Sequence, residues 1–363
     1  MTTTDPNNPA LIWWGRSDLA YNRNAVIRAA MRRLGWAIYD YRSGLLDTLH
    51  MKSPTLPTSA RLVWVPCFRQ RDVATAARFA KRHGLPLVFD PLISAFDKQV
   101  FERGKFAKDS PQAKRLFTRE RSLFQLADLV VADTAAHAAY FQEAFGLAKD
   151  RTVVIPVGAD EAMFHPQEKT ASTNGRVQVL FYGSFIALQG PETIAKAAAH
   201  CDAVDWCMLG EGPLRPACEA IVRGLEHVRF EPWRPFSELP ERIIQADILL
   251  GVFSDSDKAG RVVPNKVYQA MASGRPVISR APLPGTFPWS EQTPFEQSGV
   301  MTVPANDPAA LADAVRSLAS DPARRQQAGQ AARATYEQHG SVTHVTQVVS
   351  DVLDRVLTLG GTH

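Results

Sequence analysis

Cysteine is scarce in this chain. The four thiols in 363 residues, Cys67, Cys201, Cys207 and Cys218, form no CxxC pair. Neither a disulfide framework nor a zinc site is therefore expected, and the sequence suits a reduced compartment. Long apolar runs are missing too. The longest, such as residues 247–253, are strand-length, whereas a membrane-spanning helix needs ~20 residues. The opening MTTTDPNNPALIWW lacks the basic-then-apolar order of a secretion signal, so the expectation is a cytoplasmic chain. No short internal repeat is present. What is there is ordinary for a globular protein: 45% hydrophobic and 21% charged residues, enough to exclude wholesale disorder. The length suggests two domains.

Net charge is small, +4, but unevenly spread. Residues 1–155 carry 23 Lys+Arg against 14 Asp+Glu, and the remainder 18 against 23. A basic half beside an acidic half points to an anionic partner for the first: a membrane surface, a phosphate-bearing substrate or nucleic acid. Solvated helix faces are the plain alternative.

Apolar residues alternate between strand-like and helix-like spacing along the chain. Residues 10–14, 36–41, 61–68, 85–89, 128–132 and 151–155 read as strands, and 24–34, 72–83, 112–126 and 135–145 as helices. After a Pro- and Gly-bearing polar stretch the alternation resumes. Strands are expected at 177–182, 206–209, 228–230, 248–253 and 276–279, and helices at 192–200, 214–223, 239–245, 265–272 and 308–337, with a last amphipathic helix over 342–359. Alternation of this kind means parallel sheets flanked by helices, with ligands at the carboxyl ends of the strands. The reading is an α/β chain: a first domain over 1–157, a linker over 158–175, a second domain over 176–340, and a final helix over 341–363 packing back on the first. Two such domains facing each other make a cleft.

Particular residues narrow this further. Residues 263–278, VPNKVYQAMASGRPVI, resemble the signature of retaining glycosyltransferases of the GT-B fold, most closely family four of the carbohydrate-enzyme classification. Other pieces agree in order. FYGSFIALQG at 181–190 resembles the loop opening the second domain, LGEGP at 209–213 its G-x-G-P turn, and QADILL at 245–250 the strand before the donor loop. The segments 127–134, 154–159, 306–318 and 321–329 match as well. The resemblance implies two Rossmann-like domains, a nucleotide sugar bound by the second and an acceptor by the first. It implies transfer with retention, without a cofactor or metal.

The chemistry explains such a motif. A nucleoside diphosphate gains charge as it leaves, and a helix amino terminus offers free N–H groups and a positive dipole end. Pro264 stands where a first helical residue would, just before Asn265. Lys266 and Arg261 are the expected cations on the leaving group, with Lys258 beside them. Gly15, Gly183, Ser184, Phe185, Gln189, Gly210 and Gln269 complete the expected donor set. Many family members carry an E-x7-E pattern whose second Glu falls at Gln269 of this chain, and an Arg and a Lys where it has Ser184 and Gln189. Gln can still hydrogen-bond a ribose diol but brings no charge. The departures keep a second reading open, a catalytically silent sugar-nucleotide-binding partner of another transferase.

In the first half, Arg16 follows Gly15 in the loop that the resemblance places near the donor phosphates. Asp90 and Asp97 flank a loop leaving a strand end. Either is suited to orient or deprotonate an acceptor hydroxyl, and equally to cap a turn. A glycan or lipid-linked acceptor and an anionic membrane surface are the expected partners, with Lys105, Lys108, Lys114, Arg115, Arg119 and Arg121 as the basic cluster. Asp255-Ser-Asp257 copies a metal signature of the other glycosyltransferase fold but lies in the wrong place for it, so no metal is expected. Gly210-Glu-Gly212 is not a dinucleotide fingerprint, and no nucleic-acid module accompanies the basic stretch.

Overall fold

The computed structural model describes residues 8–41, 57–168, 175–290 and 292–360. Residues 169–174 of the expected linker lie outside the described set. The chain forms two compact units, one running to Pro156 and resuming at Val342, the other spanning Val157–Ser341.

The first unit holds six parallel strands: β1 (Ala10–Trp14), β2 (Ala37–Tyr41), β3 (Ala60–Val65), β4 (Leu87–Phe89), β5 (Leu129–Ala132) and β6 (Thr152–Val154), in the order β2-β1-β3-β4-β5-β6. The second unit holds six more: β7 (Gln178–Tyr182), β8 (Asp205–Leu209), β9 (Val228–Glu231), β10 (Ile248–Leu250), β11 (Val277–Arg280) and β12 (Val300–Val303), in the order β12-β11-β10-β7-β8-β9. In each sheet the chain reverses its direction of travel at the first strand, so β1 lies between β2 and β3, and β7 between β8 and β10. That reversal opens a crevice at the strand's carboxyl end, where ligands of such sheets bind. Gly15 leaves β1 at that point, and Gly183 leaves β7.

Strands buried on both sides read as continuous apolar runs, which is why ALIWW of β1 is buried throughout. Trp13 packs on one side with Val26, Ile27, Ala30 and Met31 of the helix Asn22–Arg33. Ile12 and Trp14 pack on the other with Val73, Ala76 and Phe79 of the helix Val73–Arg82. The helix Val342–Gly360 returns to the first side, where Val345, Val349, Val352, Leu353 and Val356 recur at three- and four-residue spacing.

Some elements differ from the sequence reading. β12 is only four residues long. The helix Asp257–Arg261 was expected to be loop, yet Ser256 caps it by accepting from the Ala259 N–H. β10 ends at Leu250 rather than Phe253, because Val252 N–H turns to Ser279 Oγ at 3.2 Å. Arginine closes three helix ends in the second unit. Arg275 donates to Ile244 O at 2.8 Å, Arg325 to Leu318 O and Ala319 O at 2.7 and 2.9 Å, and Arg333 to Ala272 O at 2.7 Å. Cations there satisfy carbonyls that have no intrahelical partner.

Candidate functional site

In the second unit the carboxyl ends of β7 and β8 carry two loops that lock together. Gly183 N–H donates to Leu209 O at 3.0 Å, Phe185 N–H to Glu211 O at 2.8 Å, and Leu214 N–H to Phe185 O at 3.0 Å. Gly210 has φ +134°, and a Cβ there would collide with the Gly183 carbonyl oxygen, so only glycine fits. Above them stands the helix Asn265–Ala272. Pro264 is its N-cap rather than its first residue, one position earlier than expected, and Val267 N–H closes back on Pro264 O at 2.9 Å.

Lys266 is the centre of this arrangement. It is only 7% exposed. Its Nζ donates to Gln189 Oε1 at 2.6 Å and lies 4.1 Å from the ring centroid of Phe181 and 5.8 Å from that of Tyr182. A Cβ on Gly183 would come within 3.0 Å of the same Nζ. Among the described residues no carboxylate faces it. Burial alone pushes its ammonium from the usual lysine value down to about 7. A buried cation without a counterion is expensive. An anion bound among Lys266, the 183–190 loop and the helix amino terminus removes that cost.

Around Lys266 the other expected residues are distributed as follows. Gln189 holds the ammonium, Asn265 is partly exposed at the first helical position, and Ser184 is exposed at the loop tip. Lys258 is buried and Arg261 half-buried on the helix Asp257–Arg261. That helix is held from below: Arg280 Nη1 donates to Ser254 O and Ser256 O, both at 3.0 Å, and Gly260 O accepts from Leu283 N–H at 2.8 Å and Thr286 Oγ1 at 2.7 Å. Two expectations need correction. Phe185 turns its side chain into the core beside Phe181 and Phe230, leaving only its backbone in the loop. Gln269, 2% exposed, accepts from Tyr182 OH at 2.8 Å; its amide oxygen supports the floor beneath Lys266 instead of reaching for a ribose. Tyr182, Phe181 and Arg280 were not singled out in the sequence. The first two sit at the end of a strand buried on both faces, where periodicity does not distinguish core from site.

Asp255 and Asp257 are exposed, and no cluster of three or more metal-ligating side chains exists among the described residues. The D-x-D frames a capping turn.

In the first unit Gly15 has φ +108°, and a Cβ there would lie 2.6 Å from Asp72 Oδ2; Arg16 beside it is exposed. Asp90 is not an accessible base. It is 1% exposed and takes Arg23 Nε at 2.9 Å on Oδ2 and Nη2 at 3.4 Å on Oδ1. Arg23 Nη1 also reaches Ile155 O at 2.6 Å and Pro156 O at 2.8 Å. Burial pushes the Asp90 carboxyl above its ordinary value, against the pull of Arg23. Asp97 is likewise 1% exposed and accepts from Tyr140 OH at 2.7 Å. Both carboxylates position the strand-end loops; neither faces solvent.

The family described as Glycosyl transferase 4-like domain matches residues 13–158, and that described as Glycosyl transferases group 1 matches residues 176–321. The chain is 28% identical over 270 residues to D-inositol 3-phosphate glycosyltransferase 1 of Catenulispora acidiphila, covering 68% of this chain and 62% of the relative. It is 30% identical over 196 residues to D-inositol 3-phosphate glycosyltransferase of Nocardia farcinica, covering 47% and 41%. The chain thus spans about half the length of the curated relatives it matches. Among solved structures, HepE of Anabaena in complex with UDP superposes with TM-score 0.68 at 17% identity over 95% of this chain and 99% of that one. Sucrose-phosphate synthase of Thermosynechococcus elongatus superposes with TM-score 0.70 at 17% identity over 97% and 100%. Both likenesses are of fold.

Proposed function

Because the chain belongs to the GT-B glycosyltransferases of the family-four type, we propose that it moves a sugar from a nucleoside-diphosphate sugar to an acceptor hydroxyl with retention. The observation that carries this reading is Lys266, a buried ammonium facing no carboxylate among the described residues, at the mouth of a glycine loop and a helix amino terminus. In the reaction the bond from the anomeric carbon to the phosphate oxygen breaks and a bond from that carbon to the acceptor oxygen forms. The acceptor proton passes to the departing diphosphate. Negative charge grows on the leaving group, and a preorganised cation in a dry site stabilises it far more than water does. Asn265, Ser184 and the 183–190 loop line the same end of the sheet. Arg261 and Lys258 lie on the neighbouring helix.

The acceptor is proposed to be a glycan or a lipid-linked sugar of cell-surface polysaccharide or glycolipid synthesis. Two observations support an anionic surroundings for it. The curated relatives are named for an acceptor that carries a phosphate. The helix Pro111–Gln125 buries Ala113, Glu120 and Phe124 and leaves Lys114, Arg115, Arg119 and Arg121 exposed. Each such cation near an anionic bilayer contributes about 1 kcal/mol. No described helix is long and apolar enough to cross a membrane, so contact with lipid would be peripheral.

The test is to incubate the protein with a panel of nucleotide sugars and follow both thermal stability and release of nucleoside diphosphate. Bound ligand raises the melting temperature by mass action. Stabilisation with diphosphate release in the presence of acceptor extracts supports the reading. Stabilisation without release makes the chain the silent partner, and no response to any nucleotide removes the site. For the surface, sedimentation with anionic liposomes at low salt should fall when Lys114 and Arg115 are reversed in charge. Indifference to anionic lipid removes the membrane.

A further inference from the structure

The first unit holds a cavity that none of the above uses. It measures about 470 Å³ and opens between the segment following β3 and the helix Pro111–Gln125, with Phe68, Arg71, Leu116, Arg119, Glu120 and Leu123 among its walls. Its charges contrast with three less exposed arginines of the unit. Arg23 is paired with Asp90, Arg28 with Asp40 and Arg69 with Asp72. Arg71 and Arg119 are exposed, and neither guanidinium meets a hydrogen-bond or ion-pair partner among the described residues. The one acid in the wall is already satisfied. Glu120 is 2% exposed and accepts from Ser94 Oγ at 2.7 Å, from Phe96 N–H at 2.8 Å and from Ala95 N–H.

The aromatic wall is equally unusual. Phe68 has φ +63°, a left-handed backbone that a bulky residue adopts only where its surroundings hold it there. It is nonetheless 39% exposed. Tyr21 meets it edge-on at 5.0 Å, and Lys98 Nζ lies 5.1 Å from its ring centroid. The backbone is held in an unfavourable region to present a ring face at the carboxyl end of β3. That is the end of the sheet where ligands of this architecture bind.

We propose that this cavity binds the phosphate-bearing ring of the acceptor, with the phosphate on Arg71 and Arg119 and the ring over Phe68. The inference rests on the glycosyltransferase reading and names its acceptor class. Guanidinium groups take phosphate oxygens with paired, charge-assisted hydrogen bonds, and Leu116 and Leu123 give the ring an apolar floor. The same chemistry is found on a free ring phosphate and on a sugar phosphate joined to a lipid carrier.

The full chain, saturated with UDP, is titrated with D-inositol 3-phosphate and glucose 6-phosphate, with myo-inositol and glucose as uncharged controls. A short-chain polyprenyl phosphate sugar in detergent forms the lipid arm. A phosphorylated ring should bind at least about tenfold more tightly than its uncharged control, and the preferred arm identifies the source. Arg71→Gln with Arg119→Gln should weaken that binding by about tenfold or more and leave UDP affinity unchanged. Phe68→Gly, whose backbone adopts φ +63° without strain, should weaken it and leave UDP affinity unchanged. Equal affinity in the double variant, or a wild type that binds UDP but none of the phosphorylated probes, overturns the cavity assignment alone. A wild type that does not bind UDP overturns the glycosyltransferase reading and this one with it.

Discussion

Each unit buries a cation on a helix that follows one of its parallel strands, the first after β1 and the second after β10, and the two treat it in opposite ways. In the first, Arg23 lies beneath the carboxyl ends of the strands with Asp90 on one side and two backbone carbonyls on the other. In the second, Lys266 lies beside the end of β7 with an amide oxygen and two aromatic rings. The arginine is complete within the fold. The lysine is left for the proposed anion to complete. Burial by itself therefore does not mark a functional charge; burial without a counterion does.

The largest effect should come from breaking the completed pair. Arg23→Ala leaves Asp90 buried and unpaired and frees the carbonyls of Ile155 and Pro156. Truncating one partner of a buried pair costs about 3–5 kcal/mol, so urea unfolding should shift by that much. A shift below ~1 kcal/mol would mean that water reaches Asp90 and that the pair is not structural. Lys266→Met should do the reverse. It removes a charge that the empty fold does not neutralise and lays an apolar chain on Phe181. Stability should hold or rise, while affinity for UDP falls by about 10–1000-fold, the usual range for one charge-assisted contact in a closed site. A variant that unfolds but still binds UDP would reverse the contrast.

A smaller effect separates the two by pH. The unfolded chain keeps the proton of Lys266 to near 10.5, and the folded chain releases it near 7. Between these values the unfolded state binds more protons, so this residue makes stability rise with pH across that window. Diphosphate binding needs the ammonium, so affinity should drop by about tenfold per unit as pH rises above 7. Calorimetry in buffers of different ionisation enthalpy should show a proton taken up on binding. Lys266→Met should abolish both slopes, and their survival in that variant would assign them to another group. The smallest expected effect is none: EDTA should leave UDP affinity and turnover unchanged. A strict manganese requirement would return Asp255 and Asp257 to the site.

How much of this was visible beforehand depends on what each residue answers to. Strand and helix positions follow from periodicity, and the motif order around 181–190, 209–213 and 263–278 located the two interlocked loops together with Lys266. The roles of Asp90 and Gln269 did not follow, because their partners lie 67 and 87 residues away, at Arg23 and Tyr182. A carboxylate at a strand end looks the same in sequence whether it faces solvent or an arginine. The helix Asp257–Arg261 was hidden by its length, since a single turn too short to form alone is made by its cap and by Arg280. Phe68 carries no sequence mark, because a left-handed phenylalanine is set by what surrounds it.

The return of the helix Val342–Gly360 to the first unit imposes an order on synthesis. The apolar side of the helix Asn22–Arg33 leaves the ribosome well before its partners Val345, Val349, Val352 and Val356, which follow roughly 310 residues later. At roughly 5–20 residues per second, the intervening chain takes on the order of 15–60 s to emerge. During that interval the second unit, continuous in sequence, can finish folding while the first waits with Val26, Ile27 and Met31 uncovered. The unit whose synthesis begins first is thus completed after the second, and its aggregation hazard lasts until the helix Val342–Gly360 emerges.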